Sequence, residues 1–371
     1  MKVAGIIFSN IYDKAFGELT RNRTVASLPF GGRYRQIDFA LSNMVNSGIT
    51  HIGLITKYNY QSLMDHLGNC AEWDLDRKNG GLFILPPFLT GQTSIYRGKL
   101  EALSVAMSFF SKIDHDYIVM MDSTTLCNID LEEYVEQHVE SGCDITVISS
   151  KVSANSSIKY DLLLKSDSTM KAVDAVVKSC ADDDMYAGLG IFIIDRKQLI
   201  KVIEESVAHG KHHFEREYLL EEFNKNNISI NICDFSGVAL RNMDVLSYFR
   251  NSLSLLDKNI RADLFLSETP IYTKVRDEAP TFYSDKSCIS DCVIADGCQI
   301  CGTVQHSIVF RDVKIGIGAK ITNSIVMQGT NIGKNATLEN AIIDKDVTIT
   351  EGTKLIGAIS SPIIVRKGET I

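Results

Sequence analysis

The sequence predicts an α/β domain, in which helices cover a sheet, followed by a left-handed parallel β-helix. In the first part of the chain, short apolar runs rich in β-branched residues alternate with segments of helical periodicity, which is typical of a parallel sheet. From residue 282 onward, aliphatic residues recur about every six positions with Gly and Asn between them, the pattern of a hexapeptide β-helix. A proline-bounded extended stretch, 270–280, separates the two patterns.

The strands and helices of the first domain follow from this alternation. Strands are expected at 3–8, 51–55, 82–85, 117–121 and 144–148, with helices between them at 60–67, 100–110 and 131–140. Ligands of such folds bind at the carboxyl ends of the strands. The functional site is therefore expected in the loops after Phe8 and Met121 and around Tyr96.

The rest of the first domain continues less regularly. Short strands are expected within 159–178, at 187–194, near 228–233 and at 238–240, with helices at 197–207, 214–224 and 245–256. The chain is accordingly divided into a domain over residues 1–257, a linker over 258–281 and a β-helix domain over 282–371.

Length and composition describe a soluble globular protein with more than one domain. The chain has 371 residues, of which 45% are hydrophobic and 23% charged, and its formal net charge is −8. This length exceeds the usual limit of a single core, and the negative charge disfavours nucleic acid or a membrane surface as partner. No apolar run of about 18 residues predicts a transmembrane helix. The short N-terminal apolar run predicts a first strand rather than a signal peptide.

The nine cysteines, an odd number scattered along the chain, indicate reduced thiols and a cytoplasmic location. Cys288, Cys292, Cys298 and Cys301 fall close together. A thiolate zinc site needs paired cysteines at tight spacing, which only Cys298 and Cys301 have. Buried small side chains are therefore the preferred interpretation, and no metal site is predicted.

The segment 29–39 carries the most specific motif in the chain. It reads Pro-Phe-Gly-Gly-Arg-Tyr-Arg-Gln-Ile-Asp-Phe. The glycine pair allows a sharp turn, and the two arginines suit a phosphate or sugar-phosphate site. The motif resembles the ADP-glucose pyrophosphorylase (glucose-1-phosphate adenylyltransferase) family almost residue for residue. Further matches at 19–20, 96–98, 190–191 and 271–274 extend the resemblance over nearly the whole chain.

The resemblance implies a nucleotide-diphospho-sugar transferase-like (Rossmann-like) mixed sheet followed by the β-helix. It also implies the family's chemistry, in which ATP and glucose 1-phosphate give ADP-glucose and pyrophosphate with Mg²⁺. In-line attack on the α-phosphate depends on positioning and charge neutralisation more than on proton transfer. The groups that neutralise charge therefore decide whether this chain can catalyse the reaction.

The nucleotide loop of the family is not retained. Its Gly-Gly-x-Gly-Thr-Arg motif aligns with Asn-Ile-Tyr-Asp-Lys-Ala at 10–15. Three glycines are lost, so the backbone cannot approach a triphosphate as closely. Asp13 is expected to place a negative charge where the triphosphate would lie, and Ala15 stands where the family has its catalytic arginine.

Three further family positions are also replaced. Val25 stands for the lysine of the Lys-Pro-Ala motif, and Thr124 for the metal-binding aspartate of Gly-Asp-His. Arg241 stands for the second metal-binding aspartate, that of Asp-Val-Gly-Thr. With both carboxylates absent, no catalytic residue, no metal ligand and no required cofactor are predicted.

Some ligand-binding positions match the family. Tyr96, Arg97 and Gly98 are retained, and Lys178 is the remnant of a Glu-Lys-Pro motif. The resemblance implies that these four residues line a substrate-like pocket. For Lys178, a solvated surface charge is the alternative interpretation.

Two arginines match positions that bind anionic sugar-phosphate effectors in related enzymes, close to the β-helix. They are Arg23 and Arg35, whereas Asn22 replaces a third, basic position. Arg35 is interpreted equally well as a structural ion-pair partner of Asp38.

The resemblance as a whole implies a regulatory, catalytically deficient subunit of the bacterial GlgD type in glycogen biosynthesis. The expected partner is a catalytic ADP-glucose pyrophosphorylase subunit in a hetero-oligomer, expected to be a tetramer; a homo-oligomer is the alternative. A sugar-phosphate effector is an expected ligand. Nucleic acid and membrane are not expected partners. Regulation would proceed through contacts that differ between two states of the assembly.

Three other functions stay open at this stage. The first is an active adenylyltransferase with rearranged metal ligands, Asp122 and Asp244, which would require Mg²⁺. The second is an acyltransferase, since hexapeptide β-helices often carry acyl-CoA chemistry, with His306 as its base. The third is a freestanding sugar-phosphate sensor that needs no partner.

Overall fold

The computed structural model of the protein describes residues 1–86, 96–152 and 159–371. Within these ranges, nine strands form the main sheet of the first domain. In chain order they are labelled β1 to β9: Val3–Phe8, His51–Ile55, Gly81–Leu85, Tyr117–Asp122, Ile145–Val152, Leu163–Ser166, Ala172–Val176, Met185–Asp195 and Ile230–Asp234.

The main sheet is mixed. Strands β3, β2, β1 and β4 lie side by side and run parallel, as the alternating pattern predicts. Strand β8 runs antiparallel to β4 and also pairs with β5 and β6, while β9 runs parallel to β5 and β7 antiparallel to β6. Phe8 at the end of β1 is level with Ile55 and Asp122. The loops that follow β1, β2 and β4 therefore meet at one edge of the sheet.

Helices cover both faces of this sheet. Among the described residues the α-helices, labelled α1 to α9, are Gln36–Asn46, Gln61–Leu67, Lys99–Val105, Met107–Lys112, Leu131–Ser141, Arg196–Ala208, Leu220–Asn224, Val245–Ser254 and Lys258–Leu264. The predicted helix at 100–110 is interrupted at Ala106, and that at 214–224 begins as a π-helix, Phe214–Leu219. Helix α9 lies in the segment that the sequence assigns to the linker. In the part of the chain described, no helix is both long and apolar enough to cross a membrane.

Short elements complete the first domain. In the described ranges, the 3₁₀ helices are Asp13–Thr20, Val25–Ser27 and Ala71–Trp73. The short strands are Pro29–Phe30, Tyr34–Arg35, Thr125–Leu126, Lys159–Tyr160, Ser179–Cys180 and Leu240–Arg241. The pairing of the last with Thr125–Leu126 brings residue 241 to the end of β4, which positions the site described below.

The C-terminal domain is a parallel β-helix, as predicted. Its strands are Phe282–Tyr283, Cys288–Ile294, Gln299–Ile300, Thr303–Val309, Lys314–Ile315, Lys320–Thr322, Ile325–Val326, Asn331–Ile332, Thr337–Glu339, Ala341–Ile343, Thr348–Ile349, Lys354–Ile356 and Ile363–Val365. Ile308, Ile325 and Ile342 stack on successive coils and are fully buried. Asn323 and Asn340, 17 residues apart, occupy one corner with positive φ. The Asn residues that lie between the aliphatic positions of the repeat therefore take the turns at this corner.

The two domains share an apolar joint. Tyr248 and Phe249 on α8 are buried against Ile308 and Ile325 of the β-helix. The arrangement follows from the amphipathic sequence of α8, which places its large side chains on one face. An ion pair crosses the same boundary: Arg23 donates to Asp344 at 2.6 Å, and both side chains are buried.

Candidate functional site

A cavity of about 270 Å³ opens at the carboxyl ends of β1, β2 and β4. Tyr96, Arg97, Gly98 and Lys178, the residues predicted to form a substrate-like pocket, all line it. Its walls also include apolar side chains such as Phe8. The structure thus brings together the four residues that the sequence singles out.

Behind the lining of this cavity, a buried carboxylate lies between two cations, of which Lys99 also lines the cavity. Asp122, at the end of β4, is 1% exposed. The ammonium of Lys99 lies 3.0 Å from its Oδ1, and the guanidinium of Arg241 lies 3.4 Å from its Oδ2. Because an unpaired charge is costly to bury, these contacts are what allow Asp122 to lie in the interior.

Each of the two cations also contacts a second carboxylate. Lys99 donates to Glu215, and Arg241 lies 3.6 Å from Asp161. These five groups form the network that we call the floor cluster. Burial disfavours the charged form of Lys99, but Asp122 and Glu215 outweigh it and raise its pKa. Burial raises the pKa of Asp122, against the effect of both cations.

Arg241 is fixed by further contacts. It donates to the carbonyl of Gly188 at 2.9 Å and to the hydroxyl of Tyr12 at 3.2 Å. Tyr12 in turn donates to Asp161. Burial disfavours its charge, but Tyr12, Asp161 and Asp122 together raise its pKa above the ordinary arginine value. The guanidinium is therefore a permanent charge behind Tyr12 and Asp161, which line the cavity.

Two glycines make this geometry possible. Gly190 has φ of +73°, and a Cβ there would lie 2.4 Å from Oδ2 of Asp122. A Cβ on Gly98 would lie 2.3 Å from the carbonyl oxygen of His212. Both positions therefore require glycine for close approach.

The loop after β1 is held by its own side chains. Asn10 accepts from the backbone of Lys57 at 3.0 Å and donates to Asp13, and Asp13 accepts from the backbone N–H of Val25 at 2.8 Å. Asp13 is buried, and burial raises its pKa to about 6. The expectation that its charge projects into the nucleotide position is wrong. The carboxylate turns inward and accepts hydrogen bonds from Asn10 and from the backbone of Val25.

The other replaced family positions lie in several environments. Ala15 is exposed, whereas Val25 and Thr124 are buried. Arg241 alone among them reaches the floor cluster. Asp244, the second ligand in the rearranged-metal hypothesis, caps α8 by accepting from the backbone of Ser247 at 2.7 Å.

The residues of this cavity do not fit a divalent metal. Magnesium sites are built from carboxylates and water in near-octahedral geometry. Here the carboxylate oxygens of Asp122 face an ammonium and a guanidinium. In the described ranges, no group of three or more His, Cys, Asp or Glu side chains is arranged to hold a metal ion.

Within the described ranges, neither the clustered cysteines nor His306 belongs to such a group. Cys298 is buried and donates to the carbonyl of Phe310 at 3.1 Å, whereas Cys288 is exposed. His306 lies 2.5 Å from Asp291, and both side chains are about half exposed. His306 has φ of +44°, so it occupies a corner of the β-helix and forms an ion pair there when protonated.

A second, smaller cavity of about 30 Å³ lies between the 29–39 motif and the β-helix. Basic side chains dominate its lining, and those six residues are Arg33, Arg35, Lys274, Arg276, Arg311 and Lys345. Burial and the neighbouring Arg35 and Arg23 lower the pKa of Lys345 to about 7. Such a concentration of like charge in a partly buried space favours an anionic ligand.

The two predicted effector arginines differ in their surroundings. Arg35 lines the second cavity and donates to the hydroxyl of Ser62 at 3.0 Å. Its suggested partner Asp38 instead accepts from the backbone N–H of Arg35 and contacts His66 at 2.6 Å. Arg23 is paired with Asp344, although its other terminal nitrogen, Nη1, is buried without a hydrogen-bond partner in the described part of the chain.

Sequence reasoning missed several of these residues. Lys99 directly follows Tyr96-Arg97-Gly98, and a lysine entering an apolar helical run could have drawn attention. Lys345 and Arg311 belong to β-helix coils that are distant in sequence from the 29–39 motif. No local pattern connects them with it.

One prediction follows for Lys345. Because its ammonium is present below a pKa of about 7 and lost above it, the affinity for sulfate, whose charge is constant, is expected to fall about 3- to 10-fold from about pH 6 to about pH 8.5. Isothermal titration calorimetry would measure this. Lys345→Met should remove most of the pH dependence, whereas Lys367→Met, at a half-exposed neighbour, should retain it. Equal pH profiles in the wild type and Lys345→Met would contradict the assignment.

The fold and the first cavity together define a nucleotidyl transferase-type protein that carries a hexapeptide β-helix. The family "Nucleotidyl transferase" matches residues 14–230, and "GlmU-like, C-terminal hexapeptide" matches residues 279–359. The chain belongs to the glucose-1-phosphate adenylyltransferase (ADP-glucose pyrophosphorylase) family, alongside the GlgD proteins, which confirms the resemblance drawn from the 29–39 motif.

Individual relatives support this membership over almost the full length. The chain is 37% identical over 372 residues to the "Glycogen biosynthesis protein GlgD" of Geobacillus stearothermophilus, covering 99% of this chain and 96% of that protein. It is 35% identical to the protein of the same name in Bacillus subtilis (strain 168), with the same coverage. A "Glucose-1-phosphate adenylyltransferase" of Pseudothermotoga lettingae is 30% identical over 86% of this chain and 76% of that protein.

Proposed function

We propose that this protein is a regulatory, catalytically deficient subunit of glucose-1-phosphate adenylyltransferase that acts on a catalytic homologue in bacterial glycogen biosynthesis. The observation that carries the proposal is the pairing of Asp122 with Lys99 and Arg241. In this family the reaction depends on cations that neutralise the charge of a nucleotide. Here the carboxylate at the end of β4 is already neutralised by the protein's own side chains.

The loop after β1 supports the same conclusion. A loop that cradles a triphosphate presents free backbone N–H groups to it. In this chain the side chains of Asn10 and Asp13 bond the loop internally. Ala15 supplies no charge, so no cation from this position can stabilise a transition state.

The second cavity supports a regulatory role. It combines basic side chains from both domains, with Arg35 from the first and Arg311 and Lys345 from the β-helix. An anion such as a sugar phosphate that bound there would contact both domains at once. It would shift the population of their relative arrangements only if its contacts differed between those arrangements.

The names of the similar proteins support a catalytic subunit as the partner of this protein. The similar proteins include both "Glycogen biosynthesis protein GlgD" and "Glucose-1-phosphate adenylyltransferase" of Geobacillus stearothermophilus. We propose a hetero-oligomer with a catalytic subunit, arranged as a tetramer in the cytoplasm, with a homo-oligomer as the alternative state in isolation.

The test is a reconstitution. Purified protein alone, supplied with ATP, glucose 1-phosphate and Mg²⁺, is expected to form no ADP-glucose above background. A catalytic homologue is then assayed with and without an equimolar amount of this protein, and its kcat or its response to sugar phosphates is expected to change at least about twofold. An Arg33→Ala/Arg276→Ala variant in the second cavity should weaken the effector response of the mixture.

Two outcomes would overturn the proposal. Turnover by the protein alone that disappears in Asp122→Ala would make it an enzyme with rearranged ligands. No co-elution with, and no effect on, a catalytic homologue would favour a freestanding sensor. Mass photometry of the mixture would report the stoichiometry directly.

A further inference from the structure

The first cavity has a surplus of positive charge at its rim. Five cationic side chains and two carboxylates line it. Lys99 lies at the floor, and the other four lie around the opening: Lys57, Arg97, Lys178 and Arg216. The side chains of Arg97 and Arg216 are 66% and 54% exposed and lie beside Glu101 and Glu217, so each can turn from its acidic neighbour toward a bound anion. This rim attracts anions.

The carboxylates of the floor cluster do not offset this attraction. Asp122 and Glu215 share the ammonium of Lys99, and Asp122 and Asp161 share the guanidinium of Arg241. Tyr12 donates a hydrogen bond to Asp161 as well. The negative charges are therefore compensated within the protein, and the net field at the opening is set by the rim.

The same pairing excludes a divalent cation. A metal bound to Asp122 would lie a few Å from both Lys99 and Arg241. Like charges at such a distance in a partly buried site repel each other strongly, because little water screens them. Neither cation can withdraw without leaving a carboxylate unpaired.

The apolar walls of the cavity indicate that its ligand also has an organic part. Phe8, Ile55, Ala102 and Val177 are apolar, and the ring of Tyr96 lies among them. A bare inorganic anion would leave these apolar surfaces exposed to water. A small organic molecule that bears phosphate would satisfy both the apolar walls and the cationic rim.

We propose that this cavity binds a phosphorylated small molecule without a divalent metal ion, with Lys99 and Arg241 supplying from within the protein the positive charge that a metal would supply. The inference rests on the loss of catalysis proposed above, and it concerns a binding function of the same cavity. Lys99 and Arg241 neutralise the floor, and Arg97 and Lys178 contact the phosphate.

The primary experiment is isothermal titration calorimetry of the full-length protein with ATP and, separately, glucose 1-phosphate. Each titration is run in EDTA and again in excess Mg²⁺. At least one probe is expected to bind in EDTA as tightly as in Mg²⁺, or more tightly. Arg97→Ala/Lys178→Ala is expected to weaken this binding about tenfold or more, since two charged contacts are lost.

The second cavity supplies the control. The control variant Arg276→Ala/Arg311→Ala removes two of its cations, and the component of the binding in EDTA that the rim variant Arg97→Ala/Lys178→Ala removes should persist in it within about twofold. Three results would overturn the inference: no binding of either probe, binding that requires Mg²⁺, or binding that is lost in this control variant and not in the rim variant.

Thermal unfolding gives a readout that is independent of any organic ligand. The melting temperature of the wild type is expected to differ by less than about 1 °C between EDTA and Mn²⁺. In Lys99→Met, Asp122 and Glu215 lose their shared cation, and Mn²⁺ is expected to raise the melting temperature by several degrees. If that variant does not fold, the wild-type comparison still decides, because clear stabilisation of the wild type by Mn²⁺ would contradict the exclusion of metal.

This proposal and the regulatory one fail separately. Binding in EDTA by a protein that leaves a catalytic homologue unaffected would sustain the ligand site and remove the regulatory role. Modulation of the homologue by a protein that binds neither probe would sustain the regulatory role and remove the ligand site.

Discussion

Arg241→Met is expected to lower the free energy of unfolding by about 3 kcal/mol, the lower end of the range for removing one partner of a buried ion pair. Asp122 would keep Lys99 but lose its second cation, and Asp161 would keep only Tyr12. Methionine retains much of the apolar stem, so the loss reports the charge rather than the volume. Urea denaturation followed by circular dichroism would measure it.

The pH dependence of this loss provides a second readout. Without Arg241, the pKa of Asp122 rises further above its unfolded value. A carboxyl with a raised folded pKa favours the folded state only below that pKa, so the variant should be closest to wild type at low pH and furthest from it near neutrality. A difference in stability that does not vary between about pH 5 and pH 8 would indicate a packing defect instead.

The matched control lies at the mouth of the same cavity. Arg216→Met removes an arginine that is 54% exposed and paired with its neighbour Glu217. Its expected effect on the free energy of unfolding is below about 0.5 kcal/mol. A similar loss in both variants would show that the floor cluster is not specially stabilising.

Arg23→Met is expected to cost about 3–5 kcal/mol, because Asp344 would remain buried in the β-helix without its partner. The pair joins two residues that are 321 positions apart. Its loss should also reduce the cooperativity between the domains, visible in calorimetry as a broader or split transition. A double-mutant cycle with Asp344→Ala would isolate the coupling energy, which is expected to exceed about 1 kcal/mol.

A second ion pair across the same boundary serves as the control. Arg366 lies 2.8 Å from Glu18, with side chains 48% and 40% exposed. Arg366→Met is expected to cost less than about 1 kcal/mol and to leave a single transition, since an exposed pair is screened by solvent. If Arg366→Met proved as costly as Arg23→Met, burial would not be the property that makes the Arg23 pair important.

The fold was largely accessible from the sequence because its signals are local and periodic. Val3–Phe8 and His51–Ile55 are apolar runs with clear breaks, and both were predicted with the observed ends. The β-helix repeats its aliphatic residues at fixed spacing. The interruption at Ala106 and the π-helical start at Phe214 were missed, since they depend on packing between helices rather than on local periodicity.

The site was less accessible, for a different reason. Tyr96, Arg97, Gly98 and Lys178 were found through a family motif, and the structure places all four around one cavity. The floor cluster joins residues from five separate segments, and their spacing in the sequence gives no sign that they meet. The inward turn of Asp13 also depends on a contact with Val25 that only the folded chain creates.

One corner of the β-helix bears on how the protein behaves at high concentration. In the described residues, Cys288–Ile294 pairs with Thr303–Val309 on one side only, so its other side presents unpaired backbone groups. An exposed strand of this kind can template the addition of further strands from another molecule. Asp291 interrupts it with φ of +51°, which bends the edge and adds a charge. We expect this kink to protect the open end of the β-helix from fibre-like stacking, and we expect replacement of Asp291 by a β-branched residue to favour that stacking.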